Sequence, residues 1–141
     1  MSQAGVRNVT FHDANGDALS NDESFDFITT FDCLHDMPNP DAVIRAIRKA
    51  VKPDGTWLIA DIHGRPTLEE NLSDNPMAGM MYGFSVLSCL SSSLSEPGGA
   101  GLGTLGFSEP VARAMTAASG FTRFKPQDFD NPFNAYYEVR P

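Results

Sequence analysis

With 141 residues, 41% hydrophobic and 20% charged, the chain has the make-up of one globular domain and not of a disordered segment. Eighteen acidic residues against ten basic ones give a formal net charge of −8, which argues against a nucleic-acid surface, since that needs clustered Lys and Arg. Cys33 and Cys89, the only cysteines, have no metal-ligand spacing around them and suggest free thiols in a reducing cytoplasm, and Met1 to Arg7 lacks the apolar core of a signal peptide.

The first predicted element is a strand at Asn8 to His12, where β-formers alternate, leading into the turn Gly16-Asp17-Ala18. Phe25 to Phe31 reads as a second strand, ending at Asp32-Cys33-Leu34-His35-Asp36. A helix follows. Asn39 caps it, Pro40 suits its first turn and Asp41 its positive end. Val43, Ile44, Ile47 and Val51 recur on its inner face, while Arg45, Arg48, Lys49 and Lys52 take the solvated one. Pro53-Asp54-Gly55 marks the turn into Trp57 to Ile62, a run too apolar for a half-exposed strand and therefore expected at the sheet centre.

From Asn75 to Ser95 no residue is charged, but six serines, two glycines and a proline make the segment too polar to span a membrane. Met80, Phe84, Leu87, Leu90 and Leu94, at spacings of three and four, predict a helix over Met77 to Leu94 with one apolar face, buried or lining a cleft. Methionines at 77, 80 and 81 suit either an irregular core or an adaptable lid. Pro97 to Gly106 holds five of the 12 glycines and is expected to be mobile or tightly turned. Ser108-Glu109-Pro110 opens a last helix, with Val111, Ala112, Met115 and Ala118 inward and Gly120 as its stop. Phe121 to Phe124 and Ala135 to Val139, separated by the turn Asp130-Asn131-Pro132, predict an antiparallel pair at a sheet edge.

Strands alternating with helices define an α/β sheet, and such sheets bind ligands beyond the carboxyl ends of their strands. Asp17, Asp32, His35, Asp61 and His63 gather there. As bare residues they have ordinary alternatives: Asp17 as a turn former, Asp32 as a loop cap, and Tyr82, Phe84 and Tyr136 as core filling in place of an acceptor pocket. His35, Asp36 and His63 lack metal-ligand spacing, so no metal site is predicted.

The order of Gly16-Asp17-Ala18, Asp26 to Asp32, Cys33-Leu34-His35-Asp36 and Ala50-Val51-Lys52-Pro53-Asp54-Gly55-Thr56-Trp57 resembles the later half of a class I S-adenosylmethionine-dependent methyltransferase. Gly101-Leu102-Gly103-Thr104, Ala118 to Phe121 and Pro132 to Tyr137 are similar to a bacterial subgroup with a winged-helix-like N-terminal domain. The resemblance implies a truncated Rossmann-like fold over 1–141, with the third to seventh strands, helices on both faces, and no first two strands or glycine-rich loop. It divides into a cofactor-half remnant (8–62), a lid or substrate insertion (63–106) and a C-terminal helix with an antiparallel pair (107–141).

By the same resemblance, Asp17 would meet the adenine amino group of S-adenosylmethionine and the Ala18 backbone its ring nitrogen. Phe31 and Asp32 would belong to the cofactor contacts, Asp32 near the methionine end. His35, in a Leu-His-Asp setting, would deprotonate a small-molecule acceptor, although Met37 stands where such enzymes usually have an aromatic residue. With two strands missing, the 8–12 strand loses its partner and the 27–31 strand becomes an apolar edge, so that it either receives the 8–12 strand or attracts a second chain, as in a homodimer. The expected activity is methyl transfer, weak or lost in this chain. The alternative is a non-enzymatic module that associates through the open edge.

Overall fold

The structure, a computed structural model, describes residues 7–11 and 19–141. Strand β1 (Phe25–Phe31) leads through a 3-10 turn (Leu34–Asp36) into α1 (Pro40–Ala50) and β2 (Val51–Ile62). Three short helices follow, α2 (Leu68–Asp74), α3 (Ala78–Leu87) and α4 (Cys89–Ser93), then α5 (Glu109–Ala118), β3 (Arg123–Gln127) and β4 (Asn134–Arg140). The four-stranded sheet has the order β1-β2-β4-β3. β1 and β2 are parallel, as a helical crossover demands, and β4 is antiparallel to both β2 and β3. β2 is thus interior, as its apolar run predicts, and β3 and β4 form the expected antiparallel pair.

The Pro53-Asp54-Gly55 turn is absorbed into β2 as a bulge: Phe25 pairs with Val51 but Phe27 with Thr56, so residues 52–55 loop out. A Cβ on Gly55 would sit 2.8 Å from Val51 Cγ2 and 3.0 Å from the Phe25 carbonyl, so only glycine lets this excursion close against β1. Lys52 lies on that bulge, not on the helix, and donates to Asp26 Oδ1 at 2.6 Å.

One core lies between the sheet and the helices α1 and α5. Ile44, Ile47, Trp57, Ile59, Phe107, Ala112, Phe121 and Val139 are all buried in it. Each of the larger aliphatic and Phe side chains among them contributes roughly 1.5–3 kcal/mol of transfer free energy. Trp57 Nε1–H donates to Thr30 Oγ1 at 3.2 Å, and its ring packs 5.4 Å from Phe121. Asn39 caps α1 as expected, accepting from the Ala42 N–H at 3.1 Å. Arg48 is not fully solvated: its Nε–H donates to the Gly120 carbonyl at 3.0 Å and its guanidinium lies over Phe121. On α5 the buried positions are Ala112 and Thr116, while Ala118 is exposed.

Three expectations differ from the fold. Asn8 to Phe11 is not a strand, and Val9 and Phe11 are exposed (His12 lies outside the described residues). A strand needs a neighbour for its N–H and C=O groups, and no described residue pairs with this segment. The 8–11 segment therefore does not add to β1, whose only strand partner among the described residues is β2. Second, Met77 to Leu94 is two helices broken at Ser88, not one. Ser91 Oγ donates to the Val86 carbonyl at 2.7 Å, so a serine hydroxyl takes a carbonyl that would carry the helix through Ser88. Third, Met80, Phe84, Leu87 and Leu94 are exposed, and it is Ala78, Ser85 and Ser93 that face inward. α2 was not among the predicted elements although Thr67 and Glu70 carry a complete capping box.

Candidate active site

The polar residues converge where β1 and β2 end side by side. Phe31 pairs with Ala60, which brings Asp32 and Asp61 to the same level. β2 alternates Trp57, Ile59 and Asp61 onto the core face, so Asp61 is drawn under the loop leaving β1. That loop begins with Asp32 at φ +45°, its N–H donating to the Ala60 carbonyl at 2.9 Å. Leu34, fully buried, anchors the 3-10 turn in the core and so fixes His35 beside it.

His35 Nδ1 and Asp61 Oδ1 are 2.5 Å apart, with the residues 3% and 1% exposed. Asp61 Oδ1 also accepts the Ile62 N–H at 2.8 Å, while Oδ2 is buried without a partner. On the other side of the ring, His35 Nε2 is 3.0 Å from Asp36 Oδ1, a contact not aligned as a hydrogen bond. Burial opposes protonation of His35, but the hydrogen bond and charge of Asp61, with Asp36 and Asp32 behind, outweigh it and hold the imidazole above its ordinary value. With Nδ1 engaged by Asp61, the neutral ring presents its lone pair at Nε2, the arrangement in which a histidine takes a proton from a nucleophile.

The glycine-rich segment packs beneath this loop. Gly103 N–H donates to the His35 carbonyl at 3.2 Å and Ala100 N–H to that of Pro38 at 2.9 Å. Gly103 has φ +69°, and a Cβ there would lie 2.5 Å from Ser85 Oγ. Ser85 in turn accepts the Thr104 N–H at 3.0 Å. The segment is therefore the tightly turned alternative, and it holds His35 from below.

The other sequence candidates are placed as follows. Phe31 is exposed at the carboxyl end of β1, and the exposed Asp32 carboxylate accepts from Asn134 Nδ2 on β4. Asp17 and Ala18 lie outside the described residues. His63 is exposed and lines a different cleft, of about 580 Å³, with Arg65, Glu109, Gln127, Phe129 and Tyr136. The Tyr82 hydroxyl accepts from Asn71, Tyr136 packs edge-on to Phe129, and Phe84 is exposed. Asp61 is the residue that sequence reasoning left without a role. Its signal was present: an acid in register with Trp57 and Ile59 must be buried, and a buried acid needs a partner.

The four-stranded mixed sheet with its helical crossover is an α/β arrangement that matches methyltransferase folds. The family described as a methyltransferase domain matches residues 1–103, and the chain belongs to that family. No curated protein matches it in sequence. Among solved structures it is similar to a putative O-methyltransferase from Nostoc punctiforme (TM-score 0.60, 15% identity, 83% of this chain and 32% of that one). It is also similar to human N-acetylserotonin methyltransferase in complex with SAM (0.63, 14%, 93% and 33%). A third is a LepI variant in complex with SAH and a substrate analogue (0.62, 14%, 99% and 32%). The chain thus spans about a third of the length of each of these three. Among the described residues no helix is long and apolar enough to cross a membrane.

Proposed function

We propose that this chain carries the base-bearing half of a methyltransferase that moves a methyl group from S-adenosylmethionine to an oxygen of a small molecule. The observation that carries this reading is the buried His35–Asp61 pair at the carboxyl ends of adjacent parallel strands. His35 Nε2 would take the acceptor proton while the oxygen's electron pair forms the bond to the methyl carbon and the methyl–sulfur bond breaks, its pair staying on sulfur as a neutral thioether leaves, and Asp61 would stabilise the imidazolium. The cofactor supplies an electrophilic methyl group on a sulfonium. Phe31 and Asp32, both exposed at the end of β1, fit its methionine end, since a carboxylate there attracts the ammonium and sulfonium charges. Asp17 and Ala18 would take the adenine. The neighbours named for SAM and SAH complexes and for O-methyl transfer support this choice of donor and acceptor.

Acting alone the chain is weakly active or inactive, because a cradle for the cofactor spreads over several loops and each lost hydrogen bond removes about 1 kcal/mol. The test is calorimetric titration with S-adenosylmethionine, followed by transfer of labelled methyl to hydroxyl acceptors by the chain and by its His35→Ala variant. Micromolar binding by the chain alone would overturn the claim of weakness, and measurable transfer by the parent that His35→Ala leaves unchanged would remove the base.

A second reading has its own observation: Phe25, Phe27 and Phe31 are exposed along β1. An apolar strand with no outer neighbour among the described residues suits association with a second copy or a completing chain. Sedimentation as a monomer at high concentration would remove the homodimer. The winged-helix-bearing subgroup and a cytoplasmic setting, suited to the free thiols Cys33 and Cys89, complete the proposal.

A further inference from the structure

Cys89, the first residue of α4, has no part in methyl transfer, yet its sulfur stands beside the base. His35 nitrogen, Asp36 oxygen and Cys89 sulfur all lie within 4.8 Å of one another. Fifty-odd residues of chain separate Cys89 from the other two, and it is the packing of α4 against the 3-10 turn that brings them together.

Several observations point to an ion. Asp61 holds His35 by Nδ1 at 2.5 Å, which is how metal-bound histidines are held by a carboxylate behind them. Asp36 Oδ1 is buried and lacks a hydrogen-bond partner, although Nε2 is only 3.0 Å away. One imidazole, one carboxylate and one thiolate together make a borderline-soft donor set of the kind zinc takes. At zinc bond lengths, tetrahedral ligand atoms stand about 3.3–3.8 Å apart, so separations of up to 4.8 Å need shifts of at most about 1.5 Å. The Asp36 side chain, 39% exposed, is free to turn by that much.

We propose that His35 Nε2, Asp36 Oδ1 and Cys89 Sγ bind a thiophilic divalent cation of the Zn²⁺ type, with a fourth position left to water. On binding, the Cys89 thiol releases its proton to solvent, and the ion takes the Nε2 electron pair. Metal loading and general-base action at His35 therefore exclude one another, so the cation is an inhibitor of any reaction His35 assists. This inference goes beyond the methyltransferase reading, because binding itself needs neither cofactor nor acceptor.

The test is titration of the metal-free full chain with Co²⁺, followed by displacement with Zn²⁺. One equivalent should bind with a thiolate-to-cobalt charge-transfer band and tetrahedral d–d absorption. Cys89→Ser should abolish the charge-transfer band, Asp36→Asn should weaken binding at least about tenfold, and Cys33→Ser should leave both unchanged. Circular dichroism checks that each variant is folded. Absence of the band in the parent, its persistence in Cys89→Ser or its loss in Cys33→Ser would each overturn the site. None of these readouts moves if the chain proves not to transfer methyl groups.

Discussion

His35 Nδ1 lies 2.5 Å from Asp61 Oδ1, joining the loop after β1 to the end of β2 through two nearly solvent-free side chains. Asp61 raises the His35 pKa against the effect of burial, so Asp61→Asn should bring it down. A proton NMR titration of the His35 ring should show its midpoint above the ordinary 6.5 in the parent and displaced to lower pH in the variant. An unmoved midpoint would remove Asp61 as the cause.

The same coupling sets the direction of pH dependence. A histidine whose folded pKa is raised contributes stability that is fully present below the unfolded value near 6.5 and lost as pH rises through the folded one. Denaturant midpoints should therefore fall as pH rises through the His35 titration, and His35→Gln should lack this fall. Any reaction in which His35 acts as the proposed base would run the opposite way, rising over that range as Nε2 becomes free.

Truncation of His35 should be costly. His35→Ala leaves the Asp61 carboxylate buried and unpaired, and breaking such a pair costs about 3–5 kcal/mol. The double variant His35→Ala with Asp61→Leu should recover part of this loss in urea denaturation. If the single variant costs under about 1 kcal/mol, the pair is not coupled as described.

Gly103→Ala should destabilise by about 1–3 kcal/mol, since its φ of +69° is unfavourable to alanine and the new methyl would meet Ser85 Oγ. The damage should reach His35, whose carbonyl accepts the Gly103 N–H. Thermal denaturation and the His35 ring shift would read both.

Burial pushes the Tyr137 phenol up to about 12, helped by Glu109 and Asp61 and opposed by Arg113. Its contribution to stability is present below the unfolded value near 10 and lost as pH rises through about 12. An absorbance titration should show one late-ionising tyrosine that disappears in Tyr137→Phe.

The helix α1 was legible almost to the residue, because cap, first-turn proline and apolar period all act within a dozen neighbouring positions. β2 was legible as a central strand from its apolar run, and the late antiparallel pair from its turn signals. The strand expected at Asn8 to His12 is absent over its described part, Asn8 to Phe11, because alternation describes a segment's faces and says nothing of whether a neighbour will pair with it. The apolar spacing of Met77 to Leu94 misled in the same way: the period was correct for α3, but nothing local says which side the protein lies on.

At the site, local patterning marked His35 and Asp32 as lying at a strand exit, because strand ends and turns are short-range events. That Asp61 is the partner of His35, and that the Cys89 sulfur comes within 4.8 Å of a His35 ring nitrogen, depends on the parallel register of β1 with β2 and on where α4 comes to rest. Contacts between residues tens of positions apart are chosen by the packing of whole elements, since only the assembled core makes burying a charge against its partner favourable.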